Sequence, residues 1–357
     1  MSGKRKFIEI DSEDYSIQLQ NNADSHPSNT SKLSDFDSNP FRALLKKTKI
    51  NDDIPESKTI FIDDTPDIIE NPSNDLIFQI MKSFDDLEKT QAKISNTKEI
   101  KIISWNVNGL RKITTSGKLR EFFKSSNPDI LCLNEIKLTE EKVYDYGLTK
   151  WFPPEYFFYL NCNKGKGCYG VGIISKLKPK SVRYGMGIKK HDNEARLITL
   201  EFDQFYVVCC YSPYSGNKQE RFNYRINEWD PDLRNYLIGL KTVKSTILCG
   251  DLNVAYEDLD VHNPKLPIGL ASVTKEERNN FTKLLSEGFV DMFRYKYPKI
   301  QKYTFLSYFG GKRQTKGWRL DYFLVDKESK GNVVDCLIHE DVEGSDHCPI
   351  ELIYKLK

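Results

Sequence analysis

The chain has 357 residues, 39% hydrophobic and 12% aromatic, enough for a real core in one large domain plus extras, or in two domains. No apolar run reaches the roughly 18 residues that span a bilayer, and the first residues lack an apolar signal stretch, so neither a membrane protein nor an exported one is expected. The formal charge of +2 conceals an asymmetry: residues 1–98 hold 13 Lys and Arg against 18 Asp and Glu, whereas residues 99–357 hold 40 against 33, a basic body suited to a polyanion.

Residues 1–97 are rich in Asn, Ser, Asp and Lys and poor in apolar residues. Such a composition cannot bury enough surface to offset chain entropy, so we expect a disordered tail over 1–97. Lys4-Arg5-Lys6 and Lys46-Lys47-Thr48-Lys49 are candidate nuclear addresses, weighed evenly against chance clusters in a Lys-rich segment. They point to a nuclear protein, with the cytoplasm as the alternative. Apolar spacing over Asp75 to Ala92 fits one short helix.

From Glu99 onward, apolar runs of strand length recur: Ile102 to Trp105, Ile130 to Leu133, Val171 to Ile174, Leu197 to Phe202, Tyr206 to Tyr211 and Ile247 to Cys249. Tyr322 to Val325, Val333 to Ile338 and Pro349 to Ile353 follow. Runs of this kind, ending in Gly, Asn or Asp, suit strands buried on both faces. Cys132, Cys209, Cys210 and Cys249 lie within them, as buried reduced thiols do, and the eight cysteines contain no CxxC pair. Between the runs, Phe222, Ile226, Trp229, Leu233 and Leu237 form a helical stripe, interrupted at Pro231 by a kink or a new helix start. Thr274 and Glu277 form a capping box ahead of Phe281, Leu284 and Leu285. Layered strands with helices outside make an α/β sandwich.

Polar residues gather where the runs end: Asn106 and Asn108, Asn134 and Glu135, Tyr211, Asp251 and Asn253, and Gly344-Ser345-Asp346-His347. Each has a plainer reading alone, as a turn residue, a surface carboxylate or a rim tyrosine. Brought to one sheet edge, they would make a single acidic, amide-rich pocket. Carboxylate and amide oxygens are hard ligands, suited to magnesium or manganese. Glu135 and Asp346 are the candidate ligands, Asp251 the candidate base, and Asn253, Tyr211 and His347 the candidate donors to a phosphodiester transition state. Asp321, a carboxylate inside an apolar run, needs a partner and is a candidate to orient His347.

At these residues the chain resembles the exonuclease III family of abasic-site endonucleases, within the endonuclease/exonuclease/phosphatase superfamily that includes DNase I. The matching strings are SWNVNGLR (104–111), LCLNEIK (131–137), YSPYSG (211–216), GDLNVAYEDLD (250–260), TFLSY (304–308), GWRLDYFLV (317–325) and GSDHCPI (344–350). The resemblance implies a four-layer α/β sandwich of two packed mixed β-sheets flanked by helices, over residues 98–357. It implies a metal set of Asn106, Glu135, Asp251, Asn253 and Asp346, and catalytic roles for Tyr211, Asp251, Asn253, Asp321 and His347. It also implies that Phe305, Trp318 and Leu320 receive an extruded, baseless sugar, a pocket too small for an intact nucleotide. Lys137 and Arg196, with Arg111, Lys112, Lys164 and Lys166, are expected phosphate contacts.

The implied activity is magnesium-dependent incision 5′ to an abasic site in double-stranded DNA, by a monomer, as a step of base-excision repair. The implied ends are a 3′-hydroxyl and a 5′-deoxyribose-phosphate, and trimming of 3′-blocked ends or a 3′→5′ exonuclease activity is the alternative within the same chemistry. Tyr214, Leu306 and the stretch from Lys265 to Leu270 depart from the family pattern, as does Asn108, which stands where some relatives carry Asp. A catalytically silent DNA-binding protein predicts at least one lost catalytic position, and none is lost. Partners of the tail are not legible.

Overall fold

The structure is a computed structural model that describes residues 99–139, 141–143, 151–163, 168–264, 270–309 and 312–357. The expected tail, its basic clusters, the helix over Asp75 to Ala92, Lys164, Lys166 and residues 265–269 lie outside them.

In chain order the strands are β1 (Glu99–Asn106), β2 (Ile130–Asn134), β3 (Phe157–Asn161), β4 (Val171–Ser175), β5 (Ser181–Tyr184), β6 (Leu197–Glu201) and β7 (Phe205–Cys210). There follow β8 (Ser245–Asp251), β9 (Phe289–Asp291), β10 (Phe305–Phe309), β11 (Lys312–Trp318), β12 (Asp321–Asp326), β13 (Val333–Ile338) and β14 (Ile350–Lys355). They form one six-stranded sheet in the order β13-β14-β1-β2-β4-β3, a second in the order β5-β6-β7-β8-β12-β9, and the hairpin β10–β11. Each six-stranded sheet is mixed, with one parallel pair at its centre: β1 with β2, and β7 with β8. A parallel pair needs a crossover, and helical segments supply both. Helices α1 (Leu110–Thr115) and α2 (Lys118–Ser126) join β1 to β2, and α3 (Asp230–Lys241) lies between β7 and β8.

Side-chain alternation explains the unbroken apolar runs. Ile100 and Ile102 of β1 point into the core between the sheets, while Ile103 and Trp105 point outward to α1 and α2. On the second sheet, Val208, Leu248 and Leu324 face Leu233, Leu237 and Leu240 of α3 and Phe281 and Leu284 of α4 (Lys275–Ser286). Helix, sheet, sheet, helix is the expected four-layer order. Burying one such side chain is worth about 1.5–3 kcal/mol, so three continuous clusters hold the sandwich together.

The helix does not start afresh at Pro231: Tyr224, Trp229 and Asp230 keep helical angles, and a π-helical segment over Arg225–Trp229, a local widening that accommodates the missing N–H, runs directly into α3. Thr274 and Glu277 exchange hydrogen bonds at the start of α4, as a capping box requires. Among the described residues the cysteines are free thiols, and only Cys168 is not buried. Strands β3, β5, β9, β10 and β11 went unread: β3 and β5 are largely part-exposed, β9 is only three residues long, and β10 and β11 carry no sustained apolar run.

Candidate active site

Where a parallel pair ends, two carboxyl-terminal loops emerge side by side, and open sheets bind ligands there. This fold has two such pairs facing each other. Asn106 ends β1, Asn134 ends β2, Tyr211 follows β7 and Asp251 ends β8. Asn134 Nδ2 donates across the sheets to the carbonyl of Cys210 (3.1 Å), bringing the ends together. Gly250 lies at φ 132°, and a Cβ there would stand 2.0 Å from the Cys210 carbonyl oxygen, so no larger residue fits.

Asp251 is fully buried. Its carboxylate accepts from Asn106 Nδ2 (2.9 Å), from the Asn253 amide N–H (2.9 Å) and, at 3.4 Å, from Asn253 Nδ2. Asp321 begins β12 directly opposite Asp251 in the antiparallel register. Its Oδ2 lies 2.7 Å from His347 Nδ1. The other ring nitrogen, Nε2, lies 3.8 Å from Asp251 Oδ2, too far for a hydrogen bond, and has no other partner among the described residues. Burial pulls the imidazole pKa down, but the carboxylates of Asp321, Asp251 and Asp346 outweigh it and hold it at about 9. At neutral pH His347 is therefore a cation with one N–H fixed on Asp321 and one unspent.

The second half of the site is built on left-handed backbone. Asn108, Glu135, Lys137 and Asn253 all have φ near +50°, strained for Glu and Lys. The amide of Gly109 donates to the Glu135 carbonyl (2.8 Å), which docks the β1 loop onto the β2 loop. Lys137 Nζ lies 3.3 Å from Glu135 Oε1 and donates to Asn108 Oδ1. Asn108 Nδ2 in turn donates to Asp346 Oδ1 (3.0 Å). Glu135 and Asp346 are thus linked through an ammonium and an amide.

Residues 103–347 match the model of the Endonuclease/Exonuclease/phosphatase family. The chain belongs to that family. It is 44% identical over 262 residues to the DNA-(apurinic or apyrimidinic site) endonuclease of Dictyostelium discoideum, covering 72% of this chain and 71% of that one. It is 41% identical to the exodeoxyribonuclease of Bacillus subtilis over 72% of this chain and the whole of that one. Among solved structures, the AP endonuclease of Leishmania major superposes with a TM-score of 0.65 at 31% identity, covering 73% of this chain and 89% of that one.

Members of the endonuclease/exonuclease/phosphatase family use a divalent metal, and two groupings bring metal-ligating residue types together here. Asp251, Asp321 and His347 have ligand atoms within 4.8 Å of one another, but the protonated His347 has no lone pair to offer a metal, so this grouping could ligate one only with the imidazole neutral. Asn253 Oδ1 is buried beside them and unpartnered among the described residues, while its amide is spent on the Ser212 carbonyl (3.0 Å) and on Asp251. The all-oxygen set of Glu135 and Asp346 is the harder of the two, and the ammonium already held at Glu135 marks a position for positive charge. The other four expected metal ligands therefore lie on two sides of Asn106, which bonds Asp251 on one side and Asn108 N–H (3.0 Å) on the other.

The expected donor role of Asn253 needs correcting. Its amide N–H groups are engaged, so its carbonyl oxygen is the group left to meet a water or cation. Arg196 also departs from expectation as a phosphate contact. It is 2% exposed, clamped between the rings of Tyr169 (3.9 Å) and Tyr211 (4.7 Å), and paired with Glu194 at 2.6 Å. Its Nη1 donates to the Tyr211 carbonyl (3.1 Å), so Arg196 holds the tyrosine. Lys137 is turned onto Glu135 and Asn108, whereas Arg111 and Lys112 stand exposed on α1.

Phe305, Leu320, Ala255 and Val261 make one small apolar cluster, with the half-buried Trp318 against it. The Phe305 ring packs on the His347 ring, centroids 5.1 Å apart. Leu306, one of the departures, is buried, and its N–H donates to the Asp346 carbonyl (2.8 Å). Tyr214 donates to Asn217 Oδ1 (2.8 Å).

Sequence reasoning missed Arg225. Its guanidinium is buried, donates to the carbonyls of Pro213 and Leu252 (2.7 Å for the latter), and pairs with Asp230. It joins the loop that carries Tyr211 to the loop that carries Asp251 and Asn253. The only signal was an arginine one residue before a residue of the apolar stripe. Arg319, likewise buried, pairs with Asp260 (2.8 Å) and Asp291 (2.7 Å) behind the apolar cluster.

Proposed function

We propose that the protein hydrolyses the DNA phosphodiester 5′ to an abasic site, leaving a 3′-hydroxyl and a 5′-deoxyribose-phosphate. The packing of Phe305 on His347 carries this reading. It puts an apolar wall for a baseless sugar against the cationic donor for that sugar's phosphate. The names of the Dictyostelium and Leishmania relatives support the same substrate.

In this reading Asp251 receives the proton of the attacking water, whose oxygen bonds to phosphorus as the P–O3′ bond breaks. The unspent Nε2–H of His347 donates to a non-bridging oxygen, and Asp321 keeps the ring turned and charged. Asn253 Oδ1 accepts from the water and fixes its approach. Tyr211, held by Arg196, lines the same floor. Magnesium at Glu135 and Asp346, when bound, supplies positive charge to the phosphate and the departing oxygen.

A second reading, 3′-end trimming, is favoured by the Bacillus relative's name, exodeoxyribonuclease. One experiment separates the two: rates on abasic, 3′-phosphate and intact duplexes, with and without EDTA, with product ends identified. Cleavage confined to the 3′-blocked or intact duplex sinks the abasic reading, and full activity in EDTA sinks the metal. The basic clusters at Lys4 and Lys46 support a nuclear address for this monomeric repair enzyme; replacing both in a fluorescent fusion should release it to the cytoplasm.

A further inference from the structure

We infer that Thr304 is a positioning residue that locks the apolar wall to the His347–Asp321 pair. The inference rests on the abasic-incision reading.

Thr304 is fully buried, immediately before β10. Its hydroxyl oxygen accepts two backbone N–H groups, from Leu320 (2.8 Å) and from Asp321 (3.0 Å). Its own N–H donates to the Trp318 carbonyl (3.0 Å), and its carbonyl accepts from Cys348 N–H (2.6 Å). Two of the four bonds go to the wall, at Trp318 and Leu320. The other two go to the catalytic pair, at Asp321 itself and at the residue after His347.

The plainer reading is a strand-end threonine that satisfies its neighbours. Three details argue past it. Leu320 lies in the two-residue gap between β11 and β12, so the hydroxyl supplies an acceptor there that no strand offers. The chain then runs straight from Thr304 into the two contacts on the other side: Phe305 pairs with His347 through a backbone bridge and packs a tilted ring against it, and Leu306 N–H bonds the Asp346 carbonyl. Finally, the Asp321–His347 contact of 2.7 Å depends on where the Asp321 backbone sits, and the Thr304 hydroxyl is one of the groups that fixes it. Removing that acceptor frees wall and pair to move separately.

The test compares Thr304→Val, which keeps shape and removes the acceptor, with Thr304→Ser, which keeps the acceptor. Misplacement of reacting groups by about 1 Å costs on the order of 100-fold in rate. Thr304→Val should therefore lose about 100-fold in kcat on an abasic duplex with KM little changed, because ground-state binding to phosphates survives. The low-field proton NMR resonance of His347 Nδ1–H should shift or broaden in Thr304→Val and stay in place in Thr304→Ser, whose kcat should recover to within about threefold. Wild-type kcat in Thr304→Val, equal losses in Val and Ser, or an unmoved resonance in Val would each overturn the inference. If Thr304→Val does not fold, Thr304→Cys against Thr304→Ser repeats the comparison at matched volume, since sulfur is a poor acceptor; equal rates there overturn it too. A wild-type protein inert on abasic DNA refutes the function instead, and the resonance still reports on the positioning.

Discussion

Asp321→Asn removes the carboxylate that most raises His347 and leaves the side chain nearly the same size. The folded imidazole titrates at about 9 against an ordinary 6.5. That difference corresponds to roughly 3 kcal/mol of extra preference for the protonated ring in the folded state. Because the folded pKa is raised, this stability is fully present below pH 6.5 and is lost as pH rises through about 9. Asp321 leads the contributions that raise the pKa, and both partners are buried, so solvent screening takes little away. The substitution should cost about 3 kcal/mol at pH 6, where the pair is charged. Near pH 9.5 the loss should shrink to about 1 kcal/mol, the worth of a neutral hydrogen bond. Urea unfolding of the full chain in EDTA at both pH values measures this without metal. Equal losses at pH 6 and 9.5 would show that His347 is not held cationic by Asp321, and the donor role argued for Nε2 would go with it.

Other outcomes follow from the same geometry. Glu135→Gln should lower magnesium-supported cleavage by about 100-fold or more, with unfolding free energy within about 0.5 kcal/mol of wild type; near-full cleavage would remove Glu135 from the metal set. Arg225→Met should cost about 3–5 kcal/mol in urea unfolding by stranding Asp230, and Arg225→Lys should fail to restore kcat because one ammonium cannot span two carbonyls and a carboxylate. Trp318→Ala should slow abasic cleavage about tenfold, the equivalent of 1.4 kcal/mol of apolar contact, while 3′-phosphate release changes less; equal losses on both substrates would argue against a sugar pocket.

What could be read from sequence was whatever a short window contains. Ile102 to Trp105 and Ile247 to Cys249 are strands with both faces buried, and a continuous apolar run records that directly. The half-exposed strands β3 and β5 and the hairpin β10–β11 leave a weaker trace. Most of the candidate catalytic residues stood out because they sit at or beside a strand end, and Asp321 because it is a carboxylate inside an apolar run. What a window cannot hold is which side chains meet across longer stretches of the chain. Nothing near Arg196 in the chain says that its guanidinium is enclosed by Tyr169 and Tyr211, and nothing near Thr304 shows its hydroxyl serving Asp321. An exposed-looking arginine and an ordinary strand-end threonine both turned out to be interior supports.

The same long-range contacts explain why the acidic residues do not collapse into one over-charged cluster. Asp251 and Asp321 balance on the His347 cation, at 3.8 and 2.7 Å. Glu135 and Asp346 balance instead on the far side, through Lys137 and Asn108. Asn106 stands between the two groups, its amide on Asp251 and its oxygen on the Asn108 backbone, and as a neutral residue it adds no fifth charge. Had all four carboxylates faced one cation, the base would have been neutralised by the charge meant for the phosphate. Two facing parallel pairs, one per sheet, keep the Asp251–His347–Asp321 side apart from the Glu135–Asp346 side. On the proposed function a phosphodiester would lie across both, and a small sugar against Phe305 would fix which phosphate does so.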